Sequence, residues 1–478
     1  MLNDYKNKFI LLGLGVLLLA LFSCKTPPLQ TPPTLHSVPE AYAAQKDSQN
    51  ISNTPWGTFF AESDLNALIE EALQNNPDLL AASQKIQLAN AAVLERKGAL
   101  LPFVTGGVAP SIRKFGFYTM DGAGNATTDI RENQLVPVHL PDFYVGLQTT
   151  WEMDVFRKLR NQKKAALLRY LSSVEGRNLV QTNLVAEVAL TYFDLLTLDN
   201  QLIVLREAIQ LQEEALAVVR IQKEAGATNE LAVKQFEAQV FNSKVMEAET
   251  QQSIVQSENL LNFLLGRFPQ PIARTNTDVL GRVFPGVQSG IPAQLLQNRP
   301  DIRQAEFELL ASNAEVLAAR AAFFPTVSLT GGLGMQAFNP GLLVSPKSLA
   351  YNLVGGFFAP IFNKSAIEAA YAGAGALQRE AFFNYQKTIL NGFVEVNNEL
   401  ARIRNLDTVF ALKTQEANAL RQAIDISAEL FRTGRANYLE LLTAQQNTLA
   451  AQLELLDIRN QQWEATVNVY KALGGGWQ

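Results

Sequence analysis

Two stretches of the chain open and close on prolines in the same way, and this duplication restricts the possible fold more than any other feature. NNPDLLAASQKIQLANAAVLERKGALLPFVTGG (75–107) is echoed by NRPDIRQAEFELLASNAEVLAARAAFFPTVSLTGG (298–332), with the two prolines equally spaced in each copy. Pro77 and Pro300 suit the first position of a helix, and Asp78 and Asp301 then lie in the first turn, where they complement the helix dipole. Pro102 and Pro325 end those helices. Further along, GATNELAVKQFEAQ from Gly226 matches GRANYLELLTAQ from Gly434, a shared Gly-x-x-Asn-x-Leu. Both copies finish on Leu-Gly, at Leu265-Gly266 and Leu473-Gly474. A period this long indicates a duplicated chain rather than a short-repeat solenoid.

After each second proline the hydrophobic period changes from helical to alternating. In FYVGLQTTWEMD, Phe143, Val145, Leu147, Trp151 and Met153 alternate with Tyr144, Gln148, Thr150, Glu152 and Asp154. Val327, Leu329, Leu333 and Met335 alternate likewise with Thr326, Ser328, Thr330 and Gly332. Strands are expected near 103–113, 143–153, 325–336 and 349–359, in two hairpins. Strands of about ten residues fit a tilted membrane crossing. Four of them cannot close a barrel, so strands that span a membrane require an oligomer; the same periodicity also fits a small soluble sheet packed on helices, the alternative reading of these strands.

The remainder reads as long helices. No proline interrupts Arg157 to Glu224, a run of roughly 100 Å if continuous. Leu184, Val188, Thr191, Leu195, Leu198, Leu202, Leu205, Ile209, Gln212, Leu216 and Val219 form a heptad seam, and Ile389, Phe393, Val396, Leu400 and Ile403 begin another. Each Gly-x-x-Asn-x-Leu turn is expected to fold a long helix back on itself, with Gly226 or Gly434 as a left-handed cap and Asn229 or Asn437 as the acceptor that starts the next helix. The Gly373-x-Gly375 pair falls inside a helical pattern, where it is expected to allow close packing.

At the N-terminus, Lys6 and Lys8 precede an apolar run that ends in Leu21-Phe22-Ser23-Cys24. This is a secretory signal, too short for a spanning helix, and no other apolar span is evident in the sequence. Its last four residues resemble a bacterial lipobox in which Cys24 becomes the lipidated first residue. Cys24 is the only cysteine, which excludes an intrachain disulfide or a thiol-rich metal site. The following TPPLQTPPTLHSVP suits an extended tether.

A formal net charge of −5 and 47% hydrophobic residues argue for a large core and against nucleic acid as a partner. The two histidines, His36 and His139, support neither a metal cluster nor a histidine-based dyad. TGGLG at 330–334 lies in a strand with no helix after it, a poor phosphate loop. No catalytic residue, metal ligand or cofactor site stands out, so an enzyme is not expected.

These features together resemble the TolC-like outer membrane factors, in particular the lipoproteins of the resistance-nodulation-division/NodT branch. The resemblance covers nearly the whole chain after the tether, and NRPDIRQAE and RAAFFPTVSLTGG carry it most specifically. It implies a mainly α fold with a transmembrane β portion. In a homotrimer, four strands from each subunit would make a twelve-stranded outer-membrane barrel, continued by a periplasmic helical tunnel. It further implies docking of a periplasmic adaptor at the turns (Gly226, Asn229, Leu231, Gly434, Asn437, Leu439) and export driven by an inner-membrane resistance-nodulation-division pump. Such channels narrow near the second turn. Here Phe431 takes an aromatic place without a phenol hydroxyl, Glu440 retains an acid, Thr443 stands where a second acid can occur, and Arg435 lies beside the usual basic position. The expected organisation is a signal peptide (1–23), a lipidated tether (24–55), a first repeat (56–285) and a second repeat (286–478). The expected function is a passive small-molecule exit duct. A duct for type I protein secretion and a periplasmic coiled-coil scaffold are the alternatives.

Overall fold

The computed structural model describes residues 27–28, 34, 37, 39–42, 50–274, 279–282, 286, 288–360 and 364–478. The signal segment, Cys24 and His36 lie outside the described residues. The first repeat contributes α1 (Ser63–Asn75), α2 (Pro77–Gly98), β1 (Phe103–Arg113), β2 (Leu140–Met153), α3 (Lys158–Glu224) and α4 (Glu230–Leu264). The second contributes α5 (Pro300–Ala321), β3 (Thr326–Ala337), β4 (Leu349–Phe358), α6 (Ser365–Arg432) and α7 (Tyr438–Ala472). Helix lengths match between the copies: α2 and α5 have 22 residues each, α3 and α6 have 67 and 68, and α4 and α7 have 35 each. Short helical turns and a small strand pair, Asp129–Arg131 with Gln134–Leu135, complete the described elements.

The four long strands form one antiparallel sheet in the order β1-β2-β3-β4, so the two hairpins are joined where β2 of one repeat pairs with β3 of the other. The chain separates into two compact units, each built from segments of both repeats. The first takes Leu88–Tyr170 and Phe307–Phe382 together with the described part of Met1–Pro33, and it contains the sheet. Beside the strands, Val316, Phe323 and Tyr371 form a small apolar cluster, and Tyr371 Oη donates to Pro28 O at 2.9 Å.

The second unit, Thr34–Gln87, Leu171–Glu306 and Phe383–Gln478, is helical. Its main core joins Leu65 and Ile69 of α1, Tyr192, Phe193 and Leu196 of α3, Leu261 of α4 and Trp463 of α7. Phe193 and Trp463 stack at 4.2 Å. The heptad seam of α3 is buried from Leu184 to Val219 apart from Leu198 and Leu202, which are half-buried. One stretch of α3 is apolar enough by composition to cross a membrane, contrary to the sequence expectation; half of it is buried in the protein, as a seam helix requires. Gly375 is buried, but a side-chain carbon at Gly373 would meet nothing within 4 Å, so Gly373 does not serve close packing within this chain.

The NRPD string has a packing explanation. Arg299 is buried; it donates to Asp301, to Glu395 Oε2 at 2.8 Å and to the Ala472 carbonyl at 2.8 Å. One guanidinium thereby ties the start of α5 to the middle of α6 and the end of α7. Burial alone would disfavour its charge, and the two carboxylates offset that cost. Gly392 lets the guanidinium approach α6, since a side-chain carbon there would lie 3.1 Å from Arg299. Part of the segment expected to be a tether also packs on this unit: Tyr42 is buried and stacks on Phe393 at 5.6 Å.

Candidate functional site: a polar sheet face and two helical turns

The sheet has two faces of opposite character. Register places Tyr144 between Ala109 and Gln336, Gln148 between Thr105 and Gly332, and Thr150 between Phe103 and Thr330. That face is polar except for residues such as Phe103, and it lines a cavity of about 720 Å³. Opposite it, Val104, Val108, Ile112, Leu147, Leu333, Leu353 and Phe357 are each more than half exposed. An exposed apolar patch of this extent marks a surface that meets lipid or another protein. Among the described residues both edges of the sheet are free, because β1 pairs only with β2 and β4 only with β3. Trp151 Nε1 donates to the Leu100 carbonyl at 3.0 Å, which anchors β2 to the end of the preceding helical segment.

The turns have the geometry their sequence demands. Gly226 and Gly434 adopt φ values of 74° and 72°. In the first turn Ala227 N donates to Gln222 O at 2.8 Å and Gly226 N to Lys223 O at 2.9 Å. The second repeats this with Arg435 N to Leu430 O at 2.9 Å and Gly434 N to Phe431 O at 3.1 Å. These paired bonds satisfy carbonyls left over at a helix end. Asn229 Oδ1 accepts from Ala232 N at 3.1 Å, and Asn437 Oδ1 accepts from Leu439 N at 2.9 Å and Glu440 N at 3.2 Å. Leu231 and Leu439, 57% and 51% exposed, present apolar side chains to solvent at corresponding places.

Below the turns Leu216, Val219, Phe236 and Val240 of the first hairpin meet Phe431, Leu441 and Leu442 of the second in one cluster. Phe431 is thus a packing residue between hairpins, whereas Arg435, Glu440 and Thr443 are exposed. Glu440 Oε1 accepts from Asn437 Nδ2 at 3.0 Å, and among the described residues neither Glu440 nor Arg435 enters an ion pair. The first turn differs: Lys223 pairs with Glu230, and Lys234 and Arg220 both reach Glu237 at 2.8 Å. Hydrogen bonds from these lysines hold Glu230 and Glu237 below the usual carboxylate range.

Sequence reasoning missed Arg299 and the trio Arg113, Asp142 and Gln336 on the polar sheet face. The NRPD string was itself a signal for the first. The second depends on cross-strand register over a 26-residue connection, 114–139, and had no local signature. No group of three or more His, Cys, Asp or Glu among the described residues is arranged to hold a metal ion.

Paired long helical hairpins and an amphipathic four-stranded sheet with an exposed apolar face are the architecture of a duplicated, channel-forming class of protein. The chain belongs to the outer membrane efflux protein family, whose sequence pattern matches residues 68–267 and 291–475. It is similar to the cation efflux system protein CusC of Escherichia coli O6:H1, with 30% identity over 96% of this chain and 97% of that one. The probable outer membrane lipoprotein SilC of Salmonella typhimurium is 29% identical over 94% of this chain and 95% of its own length. A crystal structure of CusC, described in connection with transmembrane channel formation, superposes with a TM-score of 0.81, 30% identity and coverage of 95% and 100%. The protein is accordingly an outer-membrane component of an efflux system, with a large periplasmic helical portion.

Proposed function

We propose that three copies of this chain form a passive exit duct through the outer membrane, twelve strands closing the barrel and the helical hairpins continuing it as a periplasmic tunnel. The observation that carries this reading is the sheet: an exposed apolar face, a concave polar face and two edges that are unpaired among the described residues. Backbone groups at an open edge cannot be satisfied in lipid, so the sheet has to pair with further copies. Two copies would give eight strands and three would give twelve; both counts are physically possible, and the family likeness favours twelve. The reading includes a periplasmic adaptor at the Gly226 and Gly434 turns, where Leu231 and Leu439 offer apolar contacts. An inner-membrane resistance-nodulation-division pump supplies the energy, and the duct itself performs no chemistry.

Near the second turn Glu440, with Arg435 and Thr443 nearby and Phe431 packed behind, forms the narrow end. Cys24 carries the lipid anchor, a reading favoured by its Leu-Phe-Ser-Cys context and by the likeness to SilC. Native mass spectrometry in mild detergent is expected to show a trimer that conducts ions in planar bilayers. A stable monomer that retains its full β content overturns the reading. Mass spectrometry of the mature N-terminus is expected to find a modified Cys24, and an unmodified chain cut elsewhere removes the anchor from the account.

A further inference from the structure

On the polar sheet face, charged side chains meet where the strands run into the 114–139 connection. Arg113 Nη2 lies 2.5 Å from Asp142 Oδ2, and Gln336 Nε2 donates to both oxygens of the same carboxylate at 3.0 and 2.9 Å. Three adjacent strands, β1, β2 and β3, each contribute one member. The Asp142 side chain is only 16% exposed although its strand face is open, because its two partners cover it. Towards the middle of the sheet the same face carries neutral groups such as Thr105, Gln148, Thr150, Thr330 and Asn352.

We infer that Arg113 and Asp142 form a charge-compensating pair, with Gln336 fixing the carboxylate, so that the lumen wall at the loop-side strand ends carries no net charge from this pair and does not sort permeants by charge there. The inference rests on the duct reading, in which the polar face becomes the lumen wall. In a trimer the pair occurs three times around the axis. Removing Arg113 leaves three uncompensated carboxylates in a ring, and removing Asp142 leaves three guanidinium groups. Either ring sets up a potential that enriches counter-ions. Low salt reveals the effect, since the screening length is about 30 Å at 0.01 M and about 3 Å at 1 M.

The test is the reversal potential of trimers in planar bilayers under a salt gradient centred near 0.01 M, repeated near 1 M. Arg113→Gln is expected to raise the cation-to-anion permeability ratio by about twofold or more at low salt, with the difference gone at high salt. Asp142→Asn is expected to shift the ratio towards anions, and the double variant to return it to the wild-type value. Arg113→Met removes the same charge should Arg113→Gln fail to assemble. Single variants that assemble and conduct with an unchanged low-salt reversal potential overturn this inference and leave the duct intact. A wild-type trimer that inserts without conducting overturns the duct reading and the inference with it.

Discussion

At Gly226 and Gly434 the space where a side chain would begin is open, with nothing within 4 Å, and the positive φ alone restricts the residue. A left-handed conformation costs an ordinary L-residue about 1–2 kcal/mol, and more when it is β-branched. Gly434→Val is therefore expected to distort the second turn and reduce export while trimers persist, which an efflux assay run beside a native gel will show. Normal export by assembled Gly434→Val trimers rules out a docking role for the turn. Glu440 is exposed and, among the described residues, accepts from Asn437 without entering an ion pair, so three copies in a narrow pore would favour cations. Glu440→Ala is expected to lower cation selectivity at a bilayer; unchanged selectivity and conductance place the carboxylate on an outer helix surface. Gly-x-x-Asn made both turns legible, because left-handed backbone and capping are local demands. The burial of Phe431 was not legible, since it depends on which face of α6 meets the other hairpin. Gly392 gave no sign either, as its purpose is to admit a guanidinium distant in sequence.

Strands and long helices were read closely because period and proline placement are properties of contiguous chain. β1 runs over the expected 103–113, and β3, expected at 325–336, is shifted one residue towards the C-terminus, at Thr326–Ala337. β2 starts three residues early, at Leu140, because Pro141 reads as loop in isolation yet takes a place at the end of the ladder opposite Ile112. Contacts between elements carried no such signature. Asp194 of α3 accepts from Ser257 of α4 at 2.9 Å and from Asn460 of α7 at 3.4 Å. Burial raises its pKa, and Glu464 adds to the shift; Asp457 is raised in the same way, by burial and then by Glu454 and Asp194. Folded-state values above the unfolded ones mean that ionisation weakens the fold here. The penalty is absent below the unfolded carboxylate range and grows as pH rises through the raised values. Asp194→Asn is expected to raise the unfolding temperature at neutral pH and to flatten its dependence on pH above the unfolded carboxylate range. An unaltered profile in thermal melts of the variant assigns the pH dependence to other groups.

For the whole molecule, duplication was evident from the paired prolines, yet the compact units cut across the repeats, because strands and helices from both copies condense with their own kind. Sequence period cannot show this, since it identifies which segments are alike and not which ones touch. Subunit number has the same status: nothing within one chain records how many copies close a sheet. The equal arms of the two hairpins carry a consequence for inheritance. Leu216 and Val219 meet Phe431 and Leu441 in one cluster only because both turns lie at the same level. Losing seven residues from each arm of one hairpin alone would shorten it by about 10 Å and withdraw its turn from that cluster. Deletions or insertions that alter reach are therefore tolerated when they arrive as whole heptads in all four helices together, so a lineage adapting to a wider or narrower cell envelope would carry them as matched sets.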